Sequence, residues 1–434
     1  MLAATRLLTI TMLRVTPPRI AVRSERLPAA LWRMAIAAGL AFYLYAATLL
    51  SVAISLPIWR DHFSLSVWQV GLLTGGLAFA VAVGALIGGW LGDRYGCGLV
   101  FTYDLVVFVL GTLVIITAPN GILLTVGVII VGLAAGADVP TALAVIADNA
   151  PDHARGRLTA VTQVLWIGAV LTTYAVGFAV STLGLLGTRI LIGHVVLLAV
   201  VTLGLRLALT IPGRRGLEPS THHPKSKTPA RALLAAGTVL PLLLTGTFFL
   251  FWNIASSTLG NYGPYILRTA TGLSQTQATG LALVAFPPAL VISVIFVRLA
   301  DTVWRDRLFP VAMIIQISAF AVGALTGGTV LAGMVLLVFL YSLSNVFAGE
   351  AVYKVWSQLL LPAHVRATGI GLTYAVARAA AAAFMLVVPA IVAAHPAWLL
   401  GLLCGCVLVS GLTGLVIVRH RPFAHLLRPT PSTT

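Results

Sequence analysis

Six ionisable residues interrupt the long apolar stretches of this chain: Asp104, Asp138, His194, Glu350, Lys354 and Arg378. In hydrocarbon each costs at least ~2.5 kcal/mol when its charged form faces lipid, so pairing, neutralisation or use in function is the default expectation. Arg378 keeps its charge at any physiological pH, and its planar donor fork requires an acid or an anionic ligand. Asp138, if held in a dry cavity, favours its neutral form, which raises its affinity for a proton. That chemistry suits a proton carrier; the alternatives are a static partner for Arg378 or a helix-packing hydrogen bond. Glu350 and Lys354 stand four residues apart on one helical face, so they either neutralise each other or leave Glu350 as a second proton site. His194 reads as a helix-interface histidine, with proton coupling as the alternative.

These groups need a scaffold that spans a bilayer. Only 9% of residues are charged while 59% are hydrophobic, and the mean hydropathy is +1.02. A soluble globule of this size could not cover its surface with so few polar groups. Many apolar runs exceed the roughly 20 residues that cross a hydrocarbon core. Twelve spans are predicted: 33–58, 67–91, 99–117, 121–148, 157–182, 187–211, 234–267, 275–299, 307–326, 329–357, 367–393 and 396–418. They are long and continuously apolar, without the alternation of a barrel strand, so the expected class is an all-α integral membrane protein.

Charge distribution sets the orientation. With both termini cytoplasmic, 22 Lys and Arg side chains, Arg206 among them, fall on that side, against Arg60, Arg189 and Arg268 on the other. This positive-inside bias accounts for the formal charge of +16, so no nucleic-acid partner is expected and the basic face meets lipid instead. Cys97, Cys404 and Cys406 form no paired framework, so neither a disulfide nor a metal site is expected.

The chain repeats itself. Pro57 and Pro264, Leu65 and Leu273, Asp93 and Asp301, and Arg155 and Arg366 recur at separations of 207, 208, 208 and 211 residues. The Leu pair opens matching capping boxes, Ser66 with Gln69 and Ser274 with Gln277. The polar stretch 212–231 reads as a linker. The expected organisation is a cytoplasmic tail 1–32, a six-helix bundle 33–211, the linker 212–231, a pseudo-symmetric six-helix bundle 232–418 and a cytoplasmic tail 419–434. Duplicated bundles with a site at their interface are the architecture of many secondary transporters.

Over 33–418 the chain resembles the major facilitator superfamily. The family's first-half loop pattern G-x-L-x-D-R-x-G-R-R/K is met by Gly89, Leu91, Asp93, Arg94 and Gly96, while Cys97 and Gly98 replace its two bases. Asp148, Pro151, Arg155 and Gly156 resemble the E-x-x-P-x-x-x-R-G of sugar porters and metabolite:proton symporters. Pro362, Arg366, Thr368 and Gly369 fit the second-half counterpart, with Leu359 where an acid is usual. The resemblance implies that Asp93, Arg94, Asp148, Arg155, Asp301, Arg305 and Arg366 form inter-helix ion pairs that hold the outward-open state and release on switching, weakened here by the loss of the two bases. Asp104, near the same end, is expected to join them. The segment from Gly371 to Arg378 resembles the eleventh helix of metabolite:proton symporters, and Gly136 to Pro140 the G-G-D-x-P of phosphate and related symporters.

Arg378 lies 12 residues beyond Arg366, or roughly 18 Å deep at 1.5 Å per residue, and Asp138 is about 15 Å deep by the same rise. A cavity at that depth would draw on the polar and aromatic residues of the first, fifth, seventh, tenth and eleventh helices. Gln163, Asn253 and Tyr374 are the strongest ligand candidates among them. The expected function is a secondary active transporter, importing a small polar or anionic metabolite by alternating access. It uses no cofactor beyond a proton gradient. It is expected to be monomeric, multi-pass in the cytoplasmic (inner) membrane, and not an enzyme. Phe42 to Ala46 holds none of the aspartates that proton symporters commonly carry there, which leaves uniport open. A drug or natural-product exporter is the alternative, although the fifth span has no proline from Ile167 to Thr182. A receptor is more remote, because no soluble domain is present to signal.

Overall fold

The computed structural model describes residues 27–210, 233–234, 236–272 and 275–420. The linker 212–231, most of both tails and the Leu273-Ser274 cap lie outside the described residues. Within them the first half folds as α1 (Ala29–His62), α2 (Val67–Tyr95), α3 (Cys97–Thr117), α4 (Gly121–Asn149), α5 (Arg155–Ala179) and α6 (Gly184–Thr210). The second half gives α7 (Ala236–Thr271), α8 (Gln275–Leu299), α9 (Val303–Leu325), α10 (Leu331–Ser344), α11 (Glu350–Leu360), α12 (Arg366–Ala394) and α13 (Pro396–His420). Ten of these helices are long and apolar enough to cross a membrane, and α10 and the apolar part of α8 are shorter apolar helices. Together they make a twelve-span, all-helical membrane protein.

The expected tenth span, 329–357, is not one helix. It breaks between Ser344 and Glu350, where Gly349 takes φ −144° and ψ −146°. A side chain at Gly349 would run into the Asn345 carbonyl and the Trp252 indole. Trp252 also fastens the break by donating from Nε1 to Asn345 Oδ1 at 3.0 Å. The fold of the chain at this break is set by a contact from another helix, which hydropathy along the sequence cannot register.

Local chemistry sets other boundaries. Ser66 and Gln69 form the expected capping box at the start of α2, and Asn120 accepts the Leu123 amide to start α4. Gly96, at φ +104°, turns the chain directly from α2 into α3, a conformation open to glycine at little cost.

One apolar cluster draws only on residues between Tyr43 and Ala199, a second only on residues between Ala255 and Val407. A third crosses between the halves and joins Met34, Phe42 and Val139 to Phe248, Tyr353 and Ile370. Large side chains such as Phe79, Leu110, Leu197, Val291 and Leu402 remain exposed, as a lipid-facing surface requires.

Adjacent glycines on α2 serve different joints. A Cβ on Gly88 would strike Ala137 of α4, inside the first half, whereas one on Gly89 would strike Ala367 and Thr368 of α12, in the second. Small residues let helix backbones approach closely in lipid, where packing and not the hydrophobic effect drives association. At the repeat-related joint between α8 and α5, Val297 and Ala300 occupy the positions of Gly89 and Gly92, so the two joints are packed by different means. Gly88→Val is expected to lower the melting temperature of the purified protein, by overpacking worth about 1–3 kcal/mol. Gly89→Val should leave melting closer to wild type and instead raise cysteine accessibility at positions 367 and 368. Equal melting losses without an accessibility change would remove the distinction.

Candidate functional site

The starts of α5 and α12 share an unusual deficit. Neither Ala154 nor Val365, the residues that precede them, offers a side-chain cap, although the first amides of any helix lack internal acceptors. The acceptor comes from the opposite half. Asp93, at the end of α2, takes the Ala367 and Thr368 amides at 3.2 and 2.7 Å. Asp301, just after α8, takes the Gly156 and Arg157 amides at 2.5 and 2.7 Å. A carboxylate at a helix start also meets the positive end of the helix dipole. Burial pushes the Asp301 carboxyl above its ordinary value, against the opposing pull of the two amides, Arg157 and Arg305.

Of the expected inter-helix ion pairs, one crosses between the halves: Arg366 Nη1 to Asp148 Oδ1 at 2.9 Å. The expectation of an inter-helix ion pair is corrected for the other five residues: Asp93 and Asp301 cap amides, and three arginines turn elsewhere. Arg155 bonds within its own half, to Asp152 at 2.7 Å and to the Ala147 carbonyl at 3.1 Å. Its repeat-related acid is missing, since Leu359 stands 211 residues after Asp148. Arg305 turns to the adjacent Asp306 at 2.9 Å and to the Ala300 carbonyl. Arg94 lies over the rings of Trp90 and Tyr95, so Asp93 is left to the amides.

Deeper in the first half, Arg206 is fully buried between two acids, with Nη2 at 2.7 Å from Asp138 Oδ2 and Nη1 at 3.3 Å from Asp104 Oδ1. Nη1 also donates to the Phe101 carbonyl, and the guanidinium lies 3.6 Å from the Phe101 ring centroid. Three expectations change here. Asp138 does not pair with Arg378, Asp104 does not join the contacts between the halves, and Arg206 is not a surface charge. Arg206 lies within the predicted span 187–211, a signal that the count of cytoplasmic charges passed over. The cluster sets two carboxylates against one guanidinium.

The second buried cluster has the opposite imbalance. Glu350, in the first turn of α11, lies 3.2 Å from Lys354 Nζ and 3.9 Å from Arg378 Nη2, and accepts the Tyr374 hydroxyl at 2.8 Å. Two cations therefore face one acid. The cluster reaches across to the first half. Lys354 Nζ donates to Gln163 Oε1 at 3.4 Å and sits 3.8 Å from the Phe42 ring centroid, and Arg378 lies 5.4 Å from the Tyr45 ring. Arg378 Nε has no hydrogen-bond partner among the described residues, and its side chain is 17% exposed.

Phe249 stacks on Tyr353 at 4.1 Å and packs against Tyr374 at 4.6 Å, which fixes the Tyr374 ring behind Glu350. Sequence reasoning missed Phe42, Phe249 and Tyr353, because aromatic residues in an apolar span carry no mark of the face they occupy. Asn253 is buried on α7 and accepts from Ser257 at 3.4 Å, but no hydrogen bond joins it to the charged cluster. His194 Nδ1 bonds to the Leu191 carbonyl one turn back in its own helix, and its Nε2 has no hydrogen-bond partner among the described residues. Among the described residues no group of three or more His, Cys, Asp or Glu could hold a metal ion.

Comparison with known proteins agrees with this architecture. The minor myo-inositol transporter IolF of Bacillus subtilis (strain 168) is 30% identical over 393 residues, covering 88% of this chain and 89% of its own. The 3-(3-hydroxy-phenyl)propionate transporter of Escherichia coli (strain K12) is 29% identical over 327 residues, covering 73% and 76%. The solved structure of the proton:xylose symporter XylE bound to 6-bromo-6-deoxy-D-glucose matches with a TM-score of 0.69 at 17% identity, over 90% of this chain and 94% of that one, a likeness of fold. A sequence model of the Major Facilitator Superfamily matches residues 36–386. The chain therefore belongs to the Major Facilitator Superfamily and is a secondary metabolite transporter, not an enzyme.

Proposed function

We propose that this protein is a proton-coupled symporter of a small anionic metabolite in the cytoplasmic membrane, with both termini and its basic face in the cytoplasm. The supporting observation is the pair of opposite charge imbalances. The Asp104–Asp138–Arg206 cluster has one carboxylate in surplus and is satisfied by a proton; the Glu350–Lys354–Arg378 cluster has one cation in surplus and is satisfied by an anion. Buried charge without a counter-charge is strongly unfavourable, so each cluster gains when its cargo arrives. Arg378 presents the substrate end, because its Nε is unengaged and its ion pair is stretched. Lys354, Gln163 and Tyr374 are the other polar side chains of that cluster. The similarity to the 3-(3-hydroxy-phenyl)propionate transporter is consistent with this reading.

The two carboxylate caps and the Arg366–Asp148 pair serve as the cytoplasmic latch, and the structure is read as the state closed on that side. Each cap is lost when the halves separate there, which exposes helix amides to water and biases a two-state equilibrium without altering either half. A second reading, a neutral polyol substrate, draws on the similarity to the myo-inositol transporter. Exchange of labelled monocarboxylates and polyols across proteoliposomes separates the two.

Three outcomes are expected. Arg378→Gln should raise KM for an anionic substrate by roughly 10–100-fold, the loss of a charge-assisted hydrogen bond worth about 1.5–3 kcal/mol. Uptake by the variant at wild-type KM would exclude the anion site. Asp138→Asn should abolish accumulation driven by a proton gradient while sparing exchange down a substrate gradient; accumulation that still follows the proton gradient sinks the assignment. Asp93→Asn should shift the population towards the cytoplasm-open state by about 1–3 kcal/mol, since a neutral amide oxygen replaces a charged acceptor. Unchanged alkylation of cysteines introduced at the cytoplasmic seam would contradict a latch.

A further inference from the structure

On the flank of the molecule, at its basic end, a groove of about 540 Å³ opens between α5 and α8. Its rim carries Arg157, in the first turn of α5, and Arg298, in the last turn of α8, with Trp32 of α1 beside them. Its wall is Val161 and Val164 on one side and Val294 and Val297 on the other. We infer that this groove is a binding site for one anionic phospholipid of the cytoplasmic leaflet, and that the lipid clamps the two halves in the state seen here.

The order of residues with depth supports that occupant. Val161 and Val164 lie four and seven residues beyond Arg157, and Val294 lies four residues before Arg298. At 1.5 Å per residue Val161, Val164 and Val294 sit roughly 6–10 Å deeper than the arginines, while Val297 stands next to Arg298. A phosphodiester at the arginines therefore places its acyl chains along the valines, the arrangement of a lipid standing in that leaflet. A soluble anion would gain nothing from the apolar wall, and an uncharged amphiphile nothing from the paired arginines. Neither guanidinium forms an ion pair among the described residues. The nearby acid, Asp301, gives its oxygens to the Gly156 and Arg157 amides and attracts Arg157 without an ion pair, so two arginines against one acid leave the rim net cationic. Arg298 is exposed and Arg157 partly so.

The groove also lies across the joint. Arg157 belongs to the first half and Arg298 to the second, so the two charges stand together only while α5 and α8 remain packed at this end. A lipid that bridges them binds this state better than one in which the helices part, and it shifts the equilibrium by that difference in affinity. The surface potential of an anionic leaflet supplies a background attraction for all basic residues. A specific site must therefore respond more to these two arginines than to others at the same end.

The test uses the full chain in lipid nanodiscs of phosphatidylcholine, with or without phosphatidylglycerol. Spin labels on otherwise cysteine-free protein at His153→Cys and Val303→Cys report the separation of the halves by double electron–electron resonance. Phosphatidylglycerol should raise the close-distance population several-fold. The Arg157→Gln, Arg298→Gln double variant should lose that response, while Arg307→Gln, Arg419→Gln, which removes equal charge elsewhere at the same end, should keep it. An unresponsive wild type overturns the proposal, as does a response of equal size in both double variants, which would indicate diffuse surface attraction. So does inorganic phosphate that reproduces the effect in pure phosphatidylcholine, since the ligand would then be a soluble anion.

Discussion

The first amides of α5 and α12 have no side-chain cap within their own half. Helix geometry leaves every helix start with such donors, and the structure meets the need with a carboxylate from the opposite half at both places. This ties the arrangement of the halves to backbone hydrogen bonding, which is obligatory in any folded protein. The close approach of α2 to α12 then follows. Asp93 can reach the start of α12 only if the backbones nearly touch, and the glycines at 89 and 371 leave the space for that.

The repeat makes this arrangement symmetric in its caps and asymmetric in its reinforcement. Arg366 crosses to Asp148, but its counterpart Arg155 finds Leu359 in the matching place and folds back on Asp152 and the Ala147 carbonyl. The α2–α12 joint is closed by glycine contacts and an ion pair, whereas the α5–α8 joint has Val297 and Ala300 at the glycine positions and a basic groove on its flank. The two joints thus share a carboxylate cap and differ in reinforcement, with an ion pair to Asp148 at the start of α12 and none at the start of α5.

Much of the site was legible as residue types and depths. Charged residues within apolar spans stand out because lipid penalises them, and Asp138, Glu350, Lys354 and Arg378 were singled out on that ground. Their pairing was not legible. Asp138 sits ten residues before Asp148, a depth equally consistent with Arg378 as partner, and only the packing of α3, α4 and α6 shows that Arg206 takes it together with Asp104. The break before Glu350 was likewise hidden, since it depends on Trp252 reaching Asn345 from another helix.

The sequence by itself determined that the chain is a helical membrane protein with a duplicated pattern, because length, hydropathy and recurring polar landmarks are properties of residue order. It also determined which few side chains must be used or neutralised. Tertiary structure alone decided which charges share a cluster, two acids with one arginine in one and two cations with one acid in the other. It also showed that Asp93 and Asp301 cap backbone amides and do not pair with arginines. The reason is physical: the cost of a buried charge is fixed by its chemistry and depth, whereas its partner is fixed by which helix faces meet, and those are set by contacts hundreds of residues apart.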